Sequence, residues 1–313
     1  MRLIVSASLL MHPLLPVESL CFPRAAGRYL STAALAAGCA VTSLDPCWAV
    51  TRDFEFSNGH VRIEEPLIVQ TKEKSLRLKN PVLIGYGGGG AVFAFSDDDH
   101  KNPQLDGVSM TPLIKISWAN SADSVRKECQ ILQYLESKGV MHTEQCWTSL
   151  PYPHDGDDRV MIVVAPFVPN AVASVAELAS TSLQRTAVEQ ISQFLVQMLA
   201  QHVITIDVQP LISPETGQVT FIDLTEAKIL SSSDDDTFTD QTLVASFCAE
   251  MVALIPEEWA TVAAETVRNE IQRLTSSTSQ GLSPLAKEIL YSQTFLFPDD
   301  EQVASTLLLT SSY

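Results

Sequence analysis

Between residues 81 and 170 the apolar positions either run together in short blocks or alternate, and beyond Asn170 they recur every three to four residues. Val82, Leu83 and Ile84 enter the run Gly85-Tyr86-Gly87-Gly88-Gly89-Gly90, and Ala91 to Phe95 leave it, which predicts two strands joined by a glycine turn. A hydrophilic loop over 96–111 precedes a strand over 113–118. Val125, Cys129, Leu132 and Leu135 stand at helical spacing and predict a helix over 124–138. A nearly all-apolar strand follows over 160–167, ended by Pro166 and Pro169. Val188, Ile191, Leu195 and Leu199 then mark one face of a long amphipathic helix. Short strands are expected over 203–208 and over 211–222, the latter bent around 214–217, with Val219 and Phe221 alternating. Helices over 240–254, 257–274 and 283–292 complete the chain, with a Ser/Thr-rich linker at 276–280. The segment 50–77 is charged and mixed, without a clear period, and reads as a lead-in.

The first 49 residues follow different rules. Arg2 and an apolar run from Leu3 to Leu15 have the length of a secretory signal, too short for an anchor. A second cycle carries Arg24, Arg28, a small-residue run and Cys47-Trp48-Ala49, with small residues at the −3 and −1 places of a cleavage site. Two signals in tandem resemble the leaders of algal plastid proteins, with Phe22 after the first cleavage; one ordinary signal peptide is the alternative. A plastid address, extending to the thylakoid lumen, is therefore expected, with the secretory pathway as the other reading. Residues 1–49 are set aside as a cleavable leader.

Composition narrows the classes. With 313 residues and 46% hydrophobic content, the chain can bury a sizeable core. A net charge of −17 argues against nucleic acid or an anionic membrane as partner, because polyanions are repelled over most of the surface. No stretch after residue 50 is apolar enough to span a membrane. Of six cysteines, three fall in the leader, and Cys129, Cys146 and Cys248 are widely spaced with no CxxC pair, so neither a disulfide framework nor a zinc site is expected.

Two charged residues break the apolar pattern. Lys115 lies within Leu113-Ile114-Lys115-Ile116, a strand apolar on both sides, where an unpaired ammonium is costly. Glu128 has Val125 three before it and Ile131, Leu132 and Leu135 after it on the same helical stripe. Each alone is consistent with a snorkelling side chain; together they predict a buried ion pair between strand and helix. The glycines form Gly85-x-Gly87-x-x-Gly90-x-Val92. That spacing opens a dinucleotide-binding helix, a phosphate-covering hairpin, or a plain turn. The strand-like residues after it exclude the first, since a helix N-terminus would have to begin inside the glycines. The absence of GK[ST] excludes a Walker loop.

Glycine hairpin, strand lysine, helix glutamate, hinge strand and long helix arrive in an order that resembles the protein kinase family. Ile204-Thr205-Ile206-Asp207-Val208-Gln209-Pro210 is similar to the catalytic loop, Phe221-Ile222-Asp223 to the strand presenting the magnesium aspartate, and the Asp240 helix to the anchor of the lower lobe. The resemblance covers roughly residues 78–255. It implies an α+β, bilobal protein kinase-like fold. A small antiparallel sheet lobe with one helix would span 78–168, and a mainly helical C-terminal lobe 169–313. It further implies ATP and Mg2+ as cofactors, with Gly85, Gly87, Gly90 and Val92 against the nucleotide. Lys115 would hold the α and β phosphates, Glu128 would orient it, Asp207 would take the proton of a substrate hydroxyl, and Asp223 would bind the metal.

The pattern also departs from the family. Ile212 stands where a metal-binding asparagine belongs, Thr205-Ile206 replace His-Arg, and Leu224-Thr225 replace Phe-Gly. Only sixteen residues separate Asp223 from Asp240, with no Ala-Pro-Glu. Two functions follow: phosphoryl transfer to a protein or small-molecule hydroxyl, or a pseudokinase that binds and scaffolds. A mixed domain with an incidental glycine turn is the third. The acidic tracts 97–99 and 231–236 read as solvated loops, His60, His142, His154 and His202 as non-ligands, and Trp118 and Trp147 as packing residues.

Overall fold

A computed structural model describes residues 50–296 apart from 71–74, 98–103, 106–107, 110–111, 154–157, 231–237, 279–281 and 294–295. The expected leader, most of both acidic tracts, and His154 lie outside the described residues.

The segment read as a lead-in is β-structure, a correction to the sequence reading. Strands β1 (Val50–Phe56) and β2 (Gly59–Glu65) form a hairpin, and β3 (Leu67–Gln70) pairs with the first half of β4 (Ser75–Tyr86). On β2, Val61, Ile63 and Glu65 turn inward while the residues between them face solvent. This period-two signal is short and interleaved with charge, which hid it. β5 (Gly90–Asp97) follows the glycine turn, and a short hairpin of β6 (Gln104–Leu105) and β7 (Val108–Ser109) interrupts the loop before β8 (Leu113–Ser117). Helix α1 (Ala122–Ser137) then leads through a short connection to β9 (Gln145–Pro151) and β10 (Val160–Ala165). Six of these strands make one antiparallel sheet in the order β3-β4-β5-β8-β10-β9.

Both faces of this sheet are covered, which explains why β8 and β10 are buried at every position. Ile114, Ile116, Met161 and Val163 face a cluster completed by Val61, Ile63 and Phe93 beneath the β1–β2 hairpin. Side chains alternate across a strand, so Leu113, Lys115, Ile162 and Val164 face the other way. On that side the apolar members pack with Val125, Ile131, Leu132 and Leu135 of α1.

The same cluster continues into the helical part. Helix α2 (Thr181–Ala200) begins at Ser180, whose hydroxyl accepts from the Leu183 amide, and buries Ile191, Phe194 and Leu195. It is followed by β11 (Val203–Ile204), β12 (Gln209–Ile212), β13 (Val219–Ile222) and β14 (Lys228–Ile229), then α3 (Phe238–Ala253), α4 (Ala260–Thr278) and α5 (Pro284–Tyr291). Phe194 stacks on Phe221 with ring centroids 3.9 Å apart, fastening β13 to α2; fully buried side chains of this size contribute about 1.5–3 kcal/mol each.

Three further expectations are corrected. The strand anticipated over 203–208 stops at Ile204, because the buried Thr205 hydroxyl donates to the Asp207 carbonyl at 3.2 Å and turns the chain. The linker expected at 276–280 is helical as far as Thr278. Cys129 and Cys146 are joined in a disulfide that bridges α1 and β9, correcting the expectation that the widely spaced cysteines would form no disulfide. The protein is thus α+β, with a mostly antiparallel sheet and several helices.

Candidate functional site

Lys115 is the centre of the site. It points from β8 toward α1, where its ammonium donates to Glu128 Oε2 at 2.7 Å, so the buried pair expected from the sequence is present. Glu128 is 0% exposed and Lys115 only 9%. The same ammonium donates to Asp223 Oδ1 at 3.0 Å. Asp223 follows β13 with φ 56 and ψ 57, a left-handed conformation that aspartate adopts more readily than most residues other than glycine. Thr225 donates its hydroxyl to the same Oδ1 at 2.9 Å.

Local hydrogen bonding sets these positions. Phe221 donates its amide to the His142 carbonyl at 2.7 Å and accepts from the Glu144 amide at 3.1 Å, zipping β13 to the connection between α1 and β9. Asp223, two residues on, is thereby delivered to the end of Lys115. Glu128 Oε1 has no hydrogen-bond partner of its own, and burial holds the Glu128 carboxyl above its ordinary value despite the opposing pull of Lys115 and the Leu224 amide.

Glu144 is a fourth member that sequence reasoning missed. It is 8% exposed, and burial, reinforced by repulsion from Glu128, pushes its carboxyl up to about 8. No periodic or motif signal marked it, because it lies in a connection whose burial is set by packing. Burial alone would lower the Lys115 pKa, but pairing with Glu128 and Asp223 outweighs it and lifts the ammonium above its ordinary value. Near neutral pH the buried Glu144 carboxyl therefore keeps its proton beside the Lys115 ammonium.

The glycines sit above this cluster. Gly85 lies next to the end of β4, Gly87 lies exposed in the turn, and Gly90 begins β5. A Cβ on Gly89 would lie 3.6 Å from Lys115 Cε, so the turn covers the lysine closely. Val92 is directly across from Lys115 in the β5–β8 register, with its side chain packed against the same core. Trp118, expected to be a packing residue, has a further role: its indole N–H donates to the Gly87 carbonyl, and Ser121 Oγ donates to the Gly89 carbonyl at 2.6 Å.

Asp207 stands outside the ion cluster. It is exposed, and its Oδ2 accepts from Gln209 Nε2 at 2.7 Å. Partial burial, and then repulsion from Asp207, raises the pKa of Glu250 on α3. Ile212 lies in β12, opposite Val219 and 0% exposed. Among the described residues, no group of three or more histidine, cysteine, aspartate or glutamate side chains is arranged to hold a metal ion.

The sequence matches no family model and no curated protein. Geometry and chemistry alone speak for the site. One cation divided between a buried and a half-buried carboxylate can exchange the latter for an anion, and the half-buried one can then take a cation.

Proposed function

We propose that the chain is a bilobal protein kinase-like domain that binds ATP as its Mg2+ complex between the sheet and the helical part. The supporting observation is the ammonium of Lys115 shared by Glu128 and Asp223 beneath the glycine turn. In this reading Glu128 keeps Lys115 oriented while the lysine passes from Asp223 to the α and β phosphates. Asp223, with its side chain 34% exposed, then faces Mg2+. Asp223 supplies one ligand and the phosphate oxygens several, which fits a metal that rarely occupies all-protein cages. Val92 and the half-exposed Ile84 offer apolar surface on the same sheet, and Gly85, Gly87 and Gly90 allow close backbone approach.

Phosphoryl transfer to a protein or small-molecule hydroxyl is the activity this arrangement serves. Asp207 would accept the hydroxyl proton and Lys115 and Mg2+ would offset phosphate charge. A second reading, a pseudokinase acting as a binding module, is favoured by one observation: Ile212 is sealed into β12, so the position where the family has its second metal ligand offers none.

Thermal stabilisation by Mg-ATP, followed by ATP turnover, separates the readings in wild type, Lys115→Ala, Asp207→Asn and Asp223→Ala. Turnover lost in all three variants establishes the transferase. Stabilisation lost in Lys115→Ala with no turnover in any protein establishes the pseudokinase. No stabilisation of the wild type by any Mg-nucleotide sinks both.

A further inference from the structure

Four consecutive glycines, Gly87 to Gly90, have no side chains with which to hold one conformation. The closed turn therefore depends on bonds from outside it. Three come from the residues just after β8. The Trp118 indole N–H donates to the Gly87 carbonyl at 2.7 Å, and the Gly89 carbonyl accepts from the Ser121 hydroxyl at 2.6 Å and from the Trp118 amide at 3.3 Å. Held this way, the turn rests on Lys115. A methyl at Gly89 would already touch Lys115 Cε and Nζ, at 3.6 and 3.8 Å, and a phosphate group is larger than a methyl. For its amides to cover phosphates bound at Lys115, the turn has to rise.

The aim of the indole is set by the β1–β2 hairpin. Trp118 is buried, and Phe56, the last residue of β1, meets its ring with centroids 5.2 Å apart and the Tyr86 ring at 5.1 Å. Gly59, the first residue of β2, also lies against the indole, where a Cβ would stand 3.5 Å from Trp118 Cε3. Phe56 thus bridges the two sides of the turn, Tyr86 before the glycines and Trp118 after them. The hairpin has a firm footing for this. The Tyr152 hydroxyl accepts from the Arg62 amide at 2.6 Å and donates to the Arg62 carbonyl at 2.7 Å, and Arg159 donates to the His60 carbonyl at 2.7 Å, so β2 is fastened to the connection between β9 and β10.

We propose that the β1–β2 hairpin is an autoinhibitory clamp that acts through Phe56 to keep the glycine turn closed on Lys115. Without that contact the indole is free to turn away, the Gly87 and Gly89 carbonyls lose their donors, and the glycine run opens. A nucleotide selects the open turn, so its apparent affinity scales with the open fraction. Loosening the clamp therefore tightens binding, the opposite of what loss of a supporting contact does. The effect on nucleotide rests on the function proposed above; the closure of the turn does not.

The test uses the full chain as wild type, Phe56→Ala and Trp118→Phe. Hydrogen exchange is followed over 85–91 and at residue 118, with α4 as internal reference, and Mg-ATP affinity is titrated in each protein. Both variants are expected to speed exchange in the turn but not in α4. Both should also tighten Mg-ATP by at least about threefold, the scale of one aromatic pair or one hydrogen bond. Turn exchange that is unchanged in Phe56→Ala, or rises only in step with α4, overturns the clamp. So does a turn that opens while Mg-ATP binds equally well or more weakly. If Phe56→Ala does not fold, Phe56→Leu, which keeps apolar volume without the ring, takes its place and is judged by the same outcomes. Should no form bind Mg-ATP, the nucleotide reading fails, and exchange in the turn still judges whether the hairpin holds it closed.

Discussion

The indole nitrogen of Trp118 donates to the Gly87 carbonyl at 2.7 Å, so the residue just after β8 also latches the glycine turn. Ser121 adds a second latch on Gly89, and Phe56 packs edge-on against the indole. Trp118→Phe keeps the ring and removes the donor. It is expected to cost about 1 kcal/mol in urea denaturation and to speed amide exchange over 85–91. Unchanged exchange there would show the turn to be held by other means.

The glycines of the turn divide by what a methyl would meet. At Gly90 a Cβ would stand 2.1 Å from the Ile116 carbonyl oxygen and 2.8 Å from its carbon, whereas at Gly87 nothing lies within 4 Å. Gly90→Ala is expected to destabilise by about 1–3 kcal/mol, while Gly87→Ala stays within about 0.5 kcal/mol. Loss of Mg-ATP affinity in Gly87→Ala at unchanged stability would then report contact with the ligand.

Removing the cation strands a buried acid. Lys115→Met leaves Glu128 uncompensated at 0% exposure, a loss of roughly 3–5 kcal/mol by chemical denaturation. Adding Glu128→Leu should recover most of it, since a matched apolar pair avoids burying either charge. A double variant no more stable than Lys115→Met would mean the pair is not the source of the cost.

Glu144 makes stability depend on pH. Its folded value of about 8 lies above the ordinary carboxyl value of 4.5, so the folded state holds the proton more tightly. The contribution is complete below about pH 4.5 and is lost as pH rises through about 8. Across that window wild type should lose up to about 1.4 kcal/mol per pH unit relative to Glu144→Gln. Parallel stability curves for the two proteins would contradict the burial of this proton.

If the chain binds nucleotide as proposed, binding should depend on the metal. Glu128 and Asp223 both already claim the Lys115 ammonium, so in the proposed reading bare ATP has to compete with two acidic side chains for one cation. Affinity is expected to fall at least about tenfold when Mg2+ is chelated, and Asp223→Ala should erase that metal dependence. Equal affinity with and without Mg2+ would remove Asp223 from the role of metal ligand.

What the sequence revealed came from polar residues in the wrong company. Lys115 and Glu128 were visible because each broke an apolar pattern strict enough to make the break costly. The main helices were legible to within a few residues for the same reason of periodicity. Glu144, the Cys129–Cys146 bond and the Trp118 latch left no such mark. Each depends on segments brought together by folding: a connection lying under β13, two cysteines 17 positions apart, an indole facing a turn 31 positions earlier. The hairpin over 50–65 was hidden because its inward residues are few and its outward ones charged.

That hairpin bears on how the protein can be handled. Phe54 lies against Phe93 at 4.8 Å and Phe56 against Trp118 at 5.2 Å, so residues ahead of the glycine turn roof one side of the sheet. A recombinant fragment begun at residue 78, where the family likeness starts, would be cut inside β4 and strip that roof away. Its naked aromatic floor would invite self-association, so an expression design should retain the chain from Val50.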